Sequence, residues 1–131
     1  MKTIDIRSRK RTEMIEVTAE IRRLIAEAGI REGIAQLFVP HTTAAVTINE
    51  NADPDVVTDL LAGLERLAPA AGGYRHAEGN SDAHIKSTLV GAGETLLIEN
   101  GAPLLGTWQG VYFCEFDGPR QRRLLVKILP Q

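Results

Sequence analysis

Three histidines are the residues of this sequence whose types and positions point most directly to chemistry. His41, His76 and His84 all fall in polar, turn-rich segments rather than in apolar runs. Because neutral imidazole is the commonest ligand of divalent metals, the three could together form an open metal site. No HExxH motif is present, and the step from His76 to His84 matches no standard metal spacing. The alternative is that each ring only hydrogen-bonds nearby backbone, and the residues alone leave both readings open.

The densest polar cluster of the chain surrounds two of these histidines. If Ser81 or Asp82 caps a helix that follows, free backbone N–H groups of its first turn could hold phosphate or carboxylate, and Lys86 could add charge. Glu78 and Asp82 could each act as a general base, a metal ligand or the partner of a histidine. The alternative is a capped helix that follows a solvated loop.

A third polar segment lies before and after a strand near the end of the sequence. Trp108, between two glycines, could form the apolar wall of a pocket, with Gln109 as a hydrogen-bond donor, or it could equally be a core anchor. Arg120 could bind phosphate or carboxylate with a fork of hydrogen bonds, or it could pair with Asp117 or Glu115 across the turn. The segment therefore predicts either a binding site or a self-contained turn.

Composition limits the classes of partner. A chain of 131 residues predicts a single domain, residues 1–131, large enough to bury a core. A net charge of −2 gives no broad positive field for nucleic acid. The one cysteine, Cys114, excludes an intrachain disulfide and a thiolate zinc site, and its apolar surroundings predict a buried, inert thiol. No apolar run is long enough for a signal peptide or a membrane span, so we expect a cytoplasmic protein.

Helical periodicity appears in three places. Thr18 is a plausible cap for a helix that ends near Gly29, and Asp53 with Pro54 predicts a second helix that ends before Pro69. Each has one apolar stripe, so each should cover a face of a sheet. A short third helix is predicted over residues 83–90, after an ordered loop at 70–82.

The remaining apolar runs predict strands. Residues 3–17 favour a hairpin across a basic turn, and strands over 34–39 and 44–48 flank His41. The later strands are predicted at 95–99, 110–116 and 122–129. Because strands and helices do not alternate regularly, the pattern indicates an α+β fold: a mixed, largely antiparallel β-sheet with two main helices and one short helix packed on it.

Three motifs resemble the YjbQ-like family, whose associated activity is secondary thiamine-phosphate synthase. They run from His41 to Asn51, from Tyr74 to Ser87, and from Gly106 to Arg120. The resemblance implies a compact homotrimer that acts on a small anionic or phosphorylated metabolite, with a divalent metal, Zn or Mg, as cofactor. No nucleic acid or membrane partner is expected.

Each candidate residue has an expected role. The predicted catalytic residues are Glu78, Asp82 and His84; the predicted substrate-binding residues are Asn80, Ser81, Lys86, Trp108, Gln109 and Arg120; the predicted metal ligands are His41, His76 and His84. Two other functions compete with thiamine-phosphate synthesis. One is a metal-dependent hydrolase with Glu78 as the base, and the other is a non-catalytic trimer that binds a small anion or metal.

Overall fold

The computed structural model describes residues Met1–Gln131 as eight strands and three helices. The strands are β1 Lys2–Arg7, β2 Glu13–Glu16, β3 Gly33–Phe38, β4 Ala44–Glu50, β5 Gly93–Glu99, β6 Ala102–Pro103, β7 Gln109–Glu115 and β8 Gln121–Pro130. The helices are α1 Thr18–Ala28, α2 Pro54–Leu67 and α3 Ser81–Val90. This is the predicted α+β class, with every predicted strand and helix present.

The strands form two antiparallel sheets rather than one. The larger has the order β1-β8-β3-β5-β6, and the smaller has the order β2-β7-β4. The predicted hairpin of residues 3–17 is therefore wrong, because β1 pairs with β8 and β2 pairs with β7. Local alternation predicts each strand, but it carries no information about its partner.

The basic segment between β1 and β2 crosses from one sheet to the other and is fastened to the turn before β8. The backbone N–H of Ser8 donates to the Arg120 carbonyl at 3.0 Å, and that of Gly118 donates to the Arg11 carbonyl at 3.0 Å. A side chain at Gly118 would collide with the Lys10 carbonyl oxygen, so this close approach needs glycine. The two segments thus support each other beside the histidines.

The main core lies between the sheets and α1, and it contains 17 buried apolar residues. Helix α1 contributes Ile21, Leu24 and Ile25, as its periodicity predicts. Thr18 does not cap this helix as predicted, since it is the first helical residue after Val17. Its hydroxyl instead accepts the Val111 backbone N–H at 2.9 Å and joins α1 to β7.

Helix α2 starts as predicted and packs loosely on the smaller sheet. The Asp53 carboxylate accepts the Asp55 N–H at 2.9 Å, and Pro54 is the first helical residue. Within this chain α2 has no buried residue, and Leu67 is 74% exposed. Leu61 and Leu64 are partly buried against the small core that contains Ala45 and Cys114, so α2 covers a face of the smaller sheet as expected but leaves much of its apolar surface exposed.

Helix α3 packs on the smaller sheet and places His84 near its N-terminal end. It begins at Ser81, with Asn80 as its cap residue, so neither Ser81 nor Asp82 caps it as predicted. Ala83 packs with Ala45, Cys114 and Phe116 in a second small core. Burial raises the pKa of Cys114 to about 12, which matches the expected inert thiol.

None of the three helices combines the length and apolar character that a membrane crossing requires.

Candidate functional site

One open cleft of about 850 Å³ brings the three histidines together. It lies between the segment after β3, the loop before α3 and the turn before β8. Its lining includes His41, Thr42, Thr43, His76, Glu78, Asn80, His84, Asp117, Arg120 and Arg122. Residues from all three sequence motifs therefore meet at one place in the fold.

His41 forms one wall of this cleft, at the point where the chain leaves β3. Its Nε2 accepts the Arg123 backbone N–H at 2.9 Å, so the neutral ring carries its proton on Nδ1. Burial, together with the charges of Arg122 and Arg123, lowers the pKa of His41 from its ordinary 6.5. At neutral pH His41 is thus an uncharged hydrogen-bond donor.

His76 and His84 form the opposite wall, one on the loop and one on α3. Their ring centroids are 5.5 Å apart with the planes nearly perpendicular. The Glu78 carboxylate lies 3.8 Å from Nε2 of His76 and is 73% exposed. This row of one carboxylate and two imidazoles can exchange protons with a ligand or with water in the cleft.

The base of the cleft is organised around the Asp117 carboxylate. Asn80 Nδ2 donates to Asp117 Oδ2 at 2.8 Å, and Arg120 Nη2 donates to the same oxygen at 3.1 Å. Arg120 Nε also donates to the Asp117 carbonyl at 2.8 Å, so the pairing with Asp117 across the turn, one of the two alternatives for this residue, is present. The guanidinium is half exposed and has five N–H groups, so donors remain free for an anion.

Asn80 carries the one buried side-chain polar atom of the chain that lacks a partner. Its amide nitrogen is committed to Asp117, while Oδ1 accepts no hydrogen bond. An unsatisfied buried acceptor costs about 1–3 kcal/mol. This acceptor lies behind the cleft surface, next to the Asp117 carboxylate that the Asn80 amide nitrogen holds.

Beneath the cleft, a buried ion pair joins the larger sheet to the smaller one. Arg122 donates to Glu115 at 2.9 Å from Nε and at 2.5 Å from Nη2, and it also donates to the Thr43 hydroxyl at 2.8 Å. Ser8 Oγ donates to Glu115 at 2.6 Å. Burial alone would raise the pKa of Glu115, but the hydrogen bonds from Arg122 and Ser8 outweigh burial and hold it below 4.5.

A second buried network of ion pairs contains two residues, Asp82 and Lys86, that we predicted to act on substrate. Asp82 is fully buried and accepts two bonds from Arg11 Nη2, at 2.8 and 3.0 Å. Lys86 is 1% exposed, with its ammonium 2.5 Å from Glu65 and 3.5 Å from Asp82. Burial would raise the pKa of Asp82, but Arg11 and Lys86 lower it. Neither Asp82, predicted to be catalytic, nor Lys86, predicted to bind substrate, lines the cleft, and partners within the chain hold both charges.

The other predicted substrate-binding residues also divide between the cleft and its surroundings. Trp108 is 63% exposed and lies outside the cleft, so within one chain it is neither a pocket wall nor a core anchor. Gln109 accepts the Gly106 N–H at 2.8 Å and closes its own turn. Ser81 lines a smaller recess beside His76 and His84. Of this set, only Asn80 and Arg120 line the main cleft.

The predicted three-histidine metal site is not formed within one chain. No group of three His, Cys, Asp or Glu side chains is close enough to hold a metal ion. His41 also has an unsuitable donor set, because a metal would need its protonated Nδ1 while Nε2 is committed to Arg123.

Sequence reasoning missed Arg11 and Arg122, which organise the site from below. Arg122 was detectable, because it alternates with Leu124 and Val126 along β8 and so falls on the buried face. A charge at such a position requires a buried partner. Arg11 gave no such signal, since it lies in a polar turn.

The two sheets and three helices define a class of small α+β proteins in which three distant segments enclose a histidine-lined cleft. The chain belongs to the UPF0047 YjbQ-like family, whose model matches residues 2–131. A UPF0047 protein of Methanocaldococcus jannaschii is 53% identical over 95% of this chain and 90% of its own length. YugU of Bacillus subtilis is 50% identical over 98% of both chains. A crystal structure of a YjbQ/UPF0047 protein of Clostridium acetobutylicum has a TM-score of 0.97 at 47% identity, covering 98% of this chain and 100% of that one.

Proposed function

We propose that the histidine-lined cleft is the active site of an enzyme that acts on a small phosphorylated metabolite. The main support for this proposal is that three imidazoles, an exposed carboxylate and a half-exposed guanidinium all line this one cleft. Such a combination provides both proton transfer and anion binding.

The contacts in the cleft support a role for each of these residues. Arg120, held by Asp117, binds a phosphate of the substrate. Neutral His41 donates from Nδ1 to an oxygen of the bound molecule. His84 transfers a proton, with His76 against its ring and Glu78 beside His76.

Thiamine-phosphate synthesis is the first reaction to test. In this reaction the ring nitrogen of a thiazole phosphate attacks the methylene carbon of a pyrimidine diphosphate, the carbon–oxygen bond breaks, and pyrophosphate leaves. The attacking nitrogen carries no proton, so the reaction needs no base at that atom. What it needs is stabilisation of the departing anion, which Arg120 and a protonated His84 would supply.

The experiment measures thiamine phosphate formed by purified protein from the two precursors. We expect His84→Ala to lower the rate by about 100-fold or more. Glu20→Ala, at an exposed position of α1 away from the cleft, is the control and should keep the wild-type rate. Failure of the wild type to form product, or an unchanged rate in His84→Ala, contradicts the proposal.

Hydrolysis is the second candidate, and the open position of Glu78 favours it. This carboxylate is 73% exposed and lies beside His76, so it could take a proton from an attacking water. A panel of phosphoesters and lactones would show turnover that falls in Glu78→Gln. The exposed Glu99→Gln is its control.

The divalent metal, zinc or magnesium, remains a prediction with its own test. Elemental analysis of protein purified without affinity tags should find less than one metal per chain if the rings act only as acids, bases and donors. A stoichiometric metal lost on chelation together with turnover would instead support the metal-dependent hydrolase. Tight retention of a small anion without any turnover would support the non-catalytic binding function.

We further propose that the chain assembles as a homotrimer. The support is the incomplete burial of its apolar surface: α2 buries no residue, and Leu67, Leu97 and Phe38 are each more than half exposed. Light scattering on the purified protein should give three times the 14.3 kDa chain mass. A mass of one chain at micromolar concentration contradicts this proposal.

A further inference from the structure

A second recess of about 510 Å³ lies on the other side of His41. It is lined by Asp5, Arg7, His41, Gln121, Arg122 and Arg123, with Ile6 as its one apolar residue. None of the roles proposed above uses Arg7, Gln121 or Arg123. His41 is the wall that this recess shares with the histidine-lined cleft, together with the buried Arg122.

Strand register explains why these side chains converge. Arg7 of β1 is directly opposite Gln121 of β8, and Asp5 is opposite Arg123. Directly paired residues project on the same side of a sheet, and so do residues two apart on one strand. Because Ile4, Ile6, Leu124 and Val126 face the core, the two arginines stand on the outer face as diagonal neighbours.

The recess holds positive charge that the chain does not neutralise. Neither Arg7 nor Arg123 forms an ion pair, and neither guanidinium group donates a hydrogen bond within the chain. The charge of Arg122 is balanced by Glu115, which leaves Asp5 as the one carboxylate facing the two arginines. A fork of N–H donors from each arginine suits the oxygens of a phosphate.

His41 connects the two recesses chemically. The backbone of Arg123 fixes the tautomer of His41, and the charges of Arg122 and Arg123 lower its pKa. An anion beside Arg123 would offset part of that positive potential and so favour protonation of the ring. Occupancy of the outer recess should therefore be visible at His41.

We propose that the recess formed by Arg7, Gln121 and Arg123 is a second phosphate subsite, separated from the Arg120 cleft by the His41 ring. This inference rests on the proposed function and narrows its substrate class. The enzyme would take either one compound with anionic groups at both ends or two phosphorylated co-substrates held on either side of His41.

The experiment uses inorganic pyrophosphate as the probe and follows the imidazole signals of the three histidines by NMR at low ionic strength. Wild-type protein should show saturable binding with an upward shift of the His41 pKa. The double variant Arg7→Gln/Arg123→Gln should lose at least about tenfold in affinity at this site, because charged hydrogen bonds are removed. The control Arg22→Gln/Arg31→Gln removes the same charge from exposed positions elsewhere and should stay within twofold of wild type.

Three results overturn the second subsite: no pyrophosphate binding at millimolar concentration, equal binding by the two double variants, or a response confined to His76 and His84. Turnover separates this failure from failure of the proposed function. If His84→Ala abolishes turnover and Arg7→Gln/Arg123→Gln leaves KM unchanged, the proposed enzymatic function is supported and the second subsite is contradicted. If the affinity loss and the shift of the His41 pKa occur in a protein without turnover, the second subsite is supported and the proposed enzymatic function is contradicted.

Discussion

The cleft and the ion-pair networks beneath it are built from the same residue types, yet their polar groups are used in opposite ways. In the cleft, Arg120, Glu78 and His84 are partly exposed and keep donors or acceptors free. Beneath it, Asp82 and Glu115 are fully buried, and every oxygen of their carboxylates accepts a hydrogen bond or an ion pair. Whether a charged residue can bind substrate thus depends on which of its partners the fold already supplies.

Substitutions in the buried networks should lower the free energy of unfolding strongly. In the folded protein, specific partners compensate these charges for the loss of contact with water. Removing one member of a buried ion pair leaves the other charge in a medium that solvates it poorly. Removing a group from the cleft wall instead leaves its neighbours open to water. We therefore expect substitutions below the cleft to lower stability and substitutions on its wall to lower activity.

Glu115→Gln should have the largest effect, because it leaves the Arg122 guanidinium buried without a counter-charge. We expect the free energy of unfolding to fall by about 3–5 kcal/mol. Chemical denaturation of the variant measures this directly. Glu99→Gln, which is exposed, should change stability by less than about 0.5 kcal/mol, and equal effects of the two substitutions would contradict the comparison.

Asp82→Asn should have a smaller effect, because its partner Arg11 is 44% exposed and can be rehydrated, while its buried partner Lys86 keeps its ion pair with Glu65. We expect a loss of about 2 kcal/mol in unfolding free energy. Turnover measured well below the melting temperature should stay close to wild type, since Asp82 does not line the cleft. A loss of turnover at unchanged stability would return Asp82 to the catalytic role that the sequence predicted.

Arg120→Gln tests the cleft wall. Because the guanidinium is half exposed, stability should change by less than about 0.5 kcal/mol. The KM for the phosphorylated substrate should rise about tenfold through loss of a charged hydrogen bond. The exposed Arg23→Gln on α1 serves as the control, and a stability loss without a change in KM would place Arg120 with the structural arginines.

The smallest expected effect concerns pH. The pKa of His41 is lowered from 6.5 in the folded protein, so on acidification the unfolded chain takes up its proton first. Stability should therefore decline as pH falls from about 6.5 through the lower folded pKa. Glu115 and Asp82 have ordinary pKa values of 4.5 and 3.8 that are also lowered, so their contribution is lost only in more acidic solution.

His41→Gln keeps an acceptor near the position of Nε2 but cannot titrate. In this variant the decline just below pH 6.5 should disappear, while the acid loss from the carboxylates remains. Thermal unfolding followed between pH 4 and pH 8 distinguishes the two stages. An unchanged profile would show that His41 does not titrate differently in the folded and unfolded states.

Much of the fold was predictable because its signals are local. The Asp53-Pro54 start of α2 and the apolar stripe of α1 depend on neighbouring residues, and the structure confirms both. Pairing was not predictable in the same way, and the β1–β2 hairpin was wrong because nothing in residues 3–17 specifies two different sheets.

The location of the candidate site was predictable from the sequence, but the role of each residue in it was not. The three polar segments do meet, since His41, His84 and Arg120 line one cleft. Lys86 looked like a phosphate ligand because its partner Glu65 lies 21 residues away on another helix. Sequence shows which groups could act, whereas the folded chain shows which of them are already occupied.

The place of β8 in the larger sheet affects how the protein is made. This strand, Gln121–Pro130, lies between β1 and β3, which are synthesised far earlier. During translation the ribosome therefore releases two strands whose shared neighbour does not yet exist, and β1 has no partner until β8 emerges. Because Arg120 and Arg122 are synthesised with that same stretch, the nascent protein acquires the strand that joins β1 to β3 and two arginines that line the cleft at the same time.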